Sequence, residues 1–161
     1  MNLSIMISNL HSGYDVTQDD LIIIEQKYSF KIPDALRLFY LRYNGAGLKE
    51  LYAYGLGNEK FGLHEIYPIK YRLQLLGNNK VAPVLSEKGE MEWAYELAQQ
   101  DLPLVVDNAL VPFASDSGGD EYYWQKITGA VFLIRFDDID TLIPAFDSVE
   151  AFFDAFIKVA E

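Results

Sequence analysis

Val111-Pro112-Phe113-Ala114-Ser115-Asp116-Ser117-Gly118-Gly119-Asp120-Glu121-Tyr122-Tyr123-Trp124, continued by Gly129-Ala130-Val131-Phe132-Leu133-Ile134-Arg135-Phe136, is the stretch that decides the fold. It reads as three strands joined by tight turns. Val111 to Ser115 is an apolar run, and Gly118-Gly119 supplies the positive φ that a short hairpin needs. Tyr122-Tyr123-Trp124 is aromatic in the manner of a half-buried strand, and Thr128-Gly129 turns the chain again. In the next run Phe132, Ile134 and Phe136 alternate with Val131, Leu133 and Arg135. Such a run fits a strand near the sheet centre, buried along most of both faces.

Outward from this hairpin, both ends of the chain read as helical. Thr17 is placed to cap a helix over 19–28, with Asp20 in its first turn and Leu21, Ile24 and Tyr28 on one face. Ile32-Pro33-Asp34 opens a second helix over 34–43, whose apolar stripe is Leu36, Phe39, Tyr40 and Tyr43. Asn44-Gly45 stops it. A closing helix over 147–159 takes Asp147 as N-cap with Glu150 three residues on, and Val149, Phe152, Phe153, Phe156, Ile157 and Ala160 form its core stripe.

The middle of the chain is less legible. Strands are expected at 51–55 and 61–66 around the turn-rich Gly57-Asn58-Glu59-Lys60. Pattern weakens over 71–107, apart from a short helix, Met91 to Gln100, carrying Trp93 and Leu97. Helices at both ends of sequential strands predict an α+β fold with a mostly antiparallel sheet.

The 161 residues are expected to form one domain, residues 1–161, and to bury roughly two-thirds of the unfolded surface. Half of them are hydrophobic, and 11 Tyr, 10 Phe and 2 Trp supply a large core. The chain has no cysteine, which excludes disulfides, thiolate catalysis and zinc–thiolate sites. The amino end carries no basic leader and no stretch approaches a membrane span, so a soluble cytoplasmic protein is expected.

Charge is divided unevenly. Residues 1–80 hold nine Lys and Arg against eight Asp and Glu, whereas residues 81–161 hold four against sixteen, a net −12. An acidic surface repels nucleic acid and anionic lipid and speeds encounter with basic proteins. The partner expected is therefore a basic protein, with neither nucleic acid nor membrane; solubility alone also accounts for many acidic surfaces.

Signals for catalysis are weak. His11 and His64 are the only histidines, and neither sits in a nucleophile or metal-ligand spacing. Gly55-Leu56-Gly57 lacks the third glycine of a dinucleotide loop and reads as a turn. Asp116 with Asp120 and Glu121, and Asp137 and Asp138 with Asp140, are the two acidic clusters that invite a metal reading. The glycines of the first occupy positions where an EF-hand needs ligands. Asp116 and Asp120 more simply satisfy turn amides, and the second cluster ends a strand in solvent. No cofactor, metal or nucleotide is expected.

Partner-binding candidates come from charge and aromaticity instead. Glu87, Glu90, Glu92, Trp93 and Glu96 form one acidic, aromatic stretch. Asp116, Asp120, Glu121 and Trp124 form a second, and Asp137, Asp138 and Asp140 a third. Three consecutive aromatics on a strand require at least one to face away from the main core, either as an interface anchor or under a second layer of helices.

Two motifs carry a family resemblance. The first is Ile24-Glu25-Gln26-Lys27-Tyr28 through Lys31-Ile32-Pro33-Asp34, then Phe39-Tyr40 and Asn44-Gly45. The second is Val111-Pro112-Phe113-Ala114 with Asp116, Gly118-Gly119-Asp120 and Gly129-Ala130-Val131, and the closing Ser-Val-Glu-Ala-Phe-Phe run fits as well. In these the chain resembles the SUKH superfamily, whose founding members include the fungal cell-wall assembly regulator and many bacterial immunity proteins. The resemblance implies an α+β fold and, for bacterial members, non-enzymatic neutralisation of a cognate toxin, often a nuclease. A regulatory or scaffold module binding a cellular protein is the alternative that the fungal relatives suggest, and a small-molecule enzyme is a third. The matched residues are turns, caps and core positions, so the unmatched Ser86 to Trp93 is the better candidate for partner contacts.

Overall fold

A computed structural model describes residues 1–10, 15–76, 80–85 and 88–161, with the backbone alone for 71–76 and 80–85. In chain order the elements are β1 (Ile7–Asn9), α1 (Gln18–Tyr28), α2 (Asp34–Tyr43), β2 (Gly47–Leu48), β3 (Leu51–Tyr54), β4 (Lys60–Leu63) and β5 (Glu65–Ile66). There follow β6 (Tyr71–Leu76), β7 (Lys80–Leu85), α3 (Glu90–Asp101), α4 (Pro103–Asp107), β8 (Leu110–Ser115), β9 (Glu121–Gln125), β10 (Val131–Arg135), β11 (Asp138–Phe146) and α5 (Val149–Ala160). The expected α+β arrangement with antiparallel pairing is what forms. β11-β10-β9-β8-β5 make a five-stranded antiparallel sheet, and β1–β2, β3–β4 and β6–β7 make two-stranded ones.

The β8–β9 turn closes as its residues dictate. The Asp116 carboxylate accepts the N–H groups of Gly118 and Asp120, both at 2.9 Å, and Gly119 adopts φ 92°. Asp120 in turn accepts the Phe136 N–H at 3.1 Å, which ties the β10–β11 turn to the first one. Both aspartates thus serve turn amides, the role their spacing gave them.

Period-two alternation then sorts β9. Tyr122 and Trp124 join the main core with Phe113, Val131 and Leu133, beneath α5 and α2. Tyr123 points to the opposite face, where Ala98 of α3 and Val105 of α4 cover it together with Leu110 and Ile134. All three aromatics are at most 1 % exposed, so the second layer of helices, not an exposed anchor, is the outcome. Trp124 is therefore withdrawn from the surface: it lies edge-on to Phe30, with centroids 5.5 Å apart, and its indole N–H has no hydrogen-bond partner among the described residues.

Two local readings need correction. The N-cap of α5 is Ser148, not Asp147: its Oγ accepts the Ala151 N–H at 3.0 Å. Both residue types cap well, and the one-residue shift leaves Val149, Phe152, Phe153 and Phe156 fully inward. Within the weakly patterned region, β6 and β7 pair as antiparallel strands, a signal that Pro83, opposite Leu73, had obscured. Proline lacks a ladder donor, but an isolated two-stranded ribbon keeps open sides that tolerate it.

Candidate functional site

The site is built on a short chain of backbone contacts that begins in α2. Tyr40 donates from its hydroxyl to the Tyr67 carbonyl at 2.9 Å. Asn44, read from sequence as a helix stop, also pairs with Ile69 in both directions, donating to its carbonyl at 2.8 Å and accepting its N–H at 3.0 Å. These bonds hold 67–69 flat against the fold. The Pro68 carbonyl then accepts the Met91 N–H at 3.0 Å, which seats the first turn of α3.

Gly89 makes that seat possible. A Cβ there would lie 2.5 Å from the Lys70 backbone nitrogen and 2.6 Å from Ile69 Cα, distances no side chain survives. Gly89→Ala is expected to cost about 1–3 kcal/mol by overpacking and to tilt α3 off the sheet. An unchanged urea midpoint would show that α3 does not depend on this close approach.

Internal polar contacts fix α3 on its other side. Glu92 is 5 % exposed and accepts from Lys27 Nζ at 3.2 Å and from the Tyr28 hydroxyl at 3.0 Å. Glu96 pairs with Lys88 at 2.9 Å and also receives the Tyr28 hydroxyl, and its carboxyl is held below the usual range, chiefly by the Lys88 bond. These two glutamates join α1 to α3. Glu92 has little surface left for a partner.

Between α3 and the β5 edge of the sheet lies a cleft of about 370 Å³. Trp93, Ala94, Leu97 and Ala98 form its apolar wall, Tyr67 and Glu121 face them from the sheet side, and Glu90, Asp101 and Leu102 complete it. Three of these are carboxylates and no basic residue lines the cleft among the described residues. Trp93 and Leu97, one turn apart on α3, are 38 % and 51 % exposed, so the wall is open to solvent.

Electrostatics on the sheet side are unusual. The Glu121 carboxylate accepts the Tyr67 hydroxyl at 2.7 Å and the Tyr123 hydroxyl at 3.3 Å. Burial raises its pKa against those two bonds, and burial beside Glu121 raises both tyrosines, keeping them as phenol donors. Glu65 lies in the same cross-strand row, since it pairs with Ser115 and Ser115 with Glu121. Burial first, and the charge of Glu90 second, push Glu65 up to about 7. Charge on Glu65 and Glu121 is poorly solvated, the condition a cation relieves.

A second concavity of about 470 Å³ lies on the opposite face, lined by Asp116, Asp120, Asp137 and Asp138. Lys60 and Arg135 line it too, and its first two aspartates are engaged by turn amides. Asp137, Asp138 and Asp140 are exposed, as expected of a strand end. Glu87 and His11 lie outside the described residues, and His64 is exposed.

The structure thus splits the residues singled out by sequence. Glu90, Trp93 and Glu121 meet in the α3 cleft, Asp116, Asp120, Asp137 and Asp138 meet in the other concavity, and Glu92, Glu96 and Trp124 are turned to internal tasks. Glu65 and Tyr67 were missed. Alternation within Glu65-Ile66-Tyr67 puts them on one face, but no local signal says that α3 approaches that face. Alternation also separates Glu121 from Asp120, which a reading of the turn as one cluster had merged.

A helix-covered antiparallel sheet with a carboxylate-lined cleft at one edge defines an α+β protein of the class its motifs resemble. The model of the SMI1 / KNR4 family (SUKH-1) matches residues 15–155, and the chain belongs to this family. The SUKH superfamily includes immunity proteins. No curated protein and no solved structure was found to match the chain. Among the described residues no helix is long and apolar enough to cross a membrane, and no group of three or more His, Asp or Glu is placed to hold a metal ion.

Proposed function

We propose that the protein is a non-enzymatic, cytoplasmic immunity protein that binds and neutralises a cognate toxin, a nuclease being the class its charge suits best. The observation that carries this reading is the concentration of acid in residues 81–161, a net −12, together with a cleft that is lined, among the described residues, by three carboxylates and no basic side chain. A nuclease needs a cationic surface to hold phosphates, and an acidic protein competes for that surface by matching the substrate's charge. Membership of a family whose superfamily includes immunity proteins supports the same reading.

Capture of the bound protein from the native organism, followed by its expression with and without this chain, tests the proposal. A basic partner that arrests growth alone and is silenced by co-expression supports it. A non-toxic partner, with no toxin recovered, overturns it in favour of a regulatory module. Against the captured toxin, replacing exposed Asp137, Asp138 and Asp140 with Lys is expected to slow association about tenfold and flatten its salt dependence. Trp93→Ala is expected to raise the dissociation rate by about tenfold or more, with association little changed. Affinity indifferent to both substitutions and to salt would sink the acidic-face mechanism.

A further inference from the structure

The α3 cleft combines two features that seldom suit one occupant: an apolar wall of Trp93, Ala94, Leu97 and Ala98, and an anionic sheet side centred on Glu121. An arginine side chain has this duality, with an apolar stem and a planar cation at its end. We infer that the cleft seats an arginine of the bound protein, its stem along Leu97 and Ala98 and its guanidinium against the Glu121 carboxylate. The assignment rests on the reading of the chain as a binder of basic proteins.

Charge complementarity selects this cleft over the other concavity. Lys60 and Arg135 already offset the carboxylates there, and the Asp116 and Asp120 oxygens hold turn amides. In the α3 cleft the hydrogen-bond partners of Glu121 are neutral phenols, from Tyr67 and Tyr123. Each Glu121 oxygen therefore accepts one hydroxyl and keeps capacity for a second donor, as a two-pronged guanidinium requires. Lys88, just before α3, is engaged by Glu96 while lying 5.1 Å over the Trp93 ring. The Trp93 ring thus stands where a cation can lie against it. Lysine fits less well, since a compact, strongly hydrated ammonium gains little from an apolar wall.

The test needs no knowledge of the partner. The full ¹⁵N-labelled chain is titrated at low salt with Nα-acetyl-arginine amide, and in parallel with the neutral isostere Nα-acetyl-citrulline amide. Saturable shifts at the Trp93 indole, Leu97 and Glu121 are expected with the arginine probe, in the millimolar range of a lone side chain. Citrulline should bind at least about threefold more weakly, and Glu121→Gln, which keeps the side chain's size and lets its oxygen accept one tyrosine hydroxyl while its amide NH2 donates to the other, should erase the difference. Leu97→Ala, an exposed truncation, should weaken the arginine probe without removing its preference over citrulline. Equal shifts with both probes, shifts centred on Asp116, Asp120 and Asp137, or none that saturate would overturn the assignment. Such a failure leaves cell protection untouched and the toxin reading intact. Arginine binding without any toxin partner sinks that reading alone.

Discussion

Phe152→Ala is expected to remove about 3–5 kcal/mol of stability, a large part of what a domain of this size possesses. Phe152 is fully buried, and its ring meets Phe113 at 5.0 Å, Tyr122 at 5.1 Å, Phe146 at 5.5 Å, Phe153 at 5.4 Å and Phe156 at 5.0 Å. These partners come from β8, β9, β11 and α5, so a cavity at this point touches both layers of the main core. Aromatic neighbours that are themselves wedged against the sheet collapse poorly into the space. The loss should appear as a lower urea midpoint at an unchanged slope. Phe136→Ala, at a site 68 % exposed, serves as the control and should shift stability by less than about 0.5 kcal/mol. Similar midpoints for the two variants would mean that α5 does not close the core.

Stability is also expected to fall as pH rises from about 5 to about 8. Glu65 has a folded pKa of about 7 against an ordinary value of 4.5, through burial first and Glu90 second. In that window the folded state keeps a proton that the unfolded chain has released. The stabilisation is therefore complete below the ordinary value and is lost as pH climbs through 7. At about 1.4 kcal/mol per unit, the shift from 4.5 to about 7 is on the order of 3–4 kcal/mol. Burial raises Glu121 in the same direction, whereas Asp20 and Glu96 are lowered and act with opposite sign only in more acid solution. Glu65→Gln carries no charge and should exceed the parent in stability near pH 8, with the gap closing toward pH 5. Urea midpoints of the two proteins across this range give the answer, because groups common to both cancel. A gap that does not change with pH would mean that Glu65 ionises freely.

The two predictions draw on parts of the molecule of different legibility. The α5 stripe, Val149, Phe152, Phe153, Phe156 and Ile157, could be read because helical spacing alone places those residues on one side, and all five are buried. The β8–β9 turn was legible for the same reason: Asp116, Gly118, Gly119 and Asp120 bond to one another, so their geometry is written in adjacent residues. Glu65 gave no such signal. Its behaviour comes from burial beside Ser115 and then from the charge of Glu90, residues far away in the chain.

The acidic stretch around Trp93 shows where a charge-based reading of surface fails. Glu90, Glu92 and Glu96 look equivalent in sequence, yet Glu92 is sequestered by Lys27 and Tyr28, Glu96 is shared between Lys88 and Tyr28, and Glu90 faces the cleft. A helix face is assigned by period, but which face meets α1 and which meets the sheet depends on how Gly89 docks against Ile69 and Lys70.

By itself the sequence determined the strands and turns of 110–136, the helices at both ends, the aromatic core and the acidic carboxyl-terminal half. Each is set by interactions within a few residues or by the spacing of apolar side chains. Only the tertiary structure decided that Tyr123 is covered while Trp93 stays open, and that Tyr67, Glu90 and Glu121 meet across one cleft with Glu65 beside it. Those outcomes follow from strand register and from the seating of α3 on the β5 edge, which arise from contacts between distant segments and leave no periodic trace along the chain.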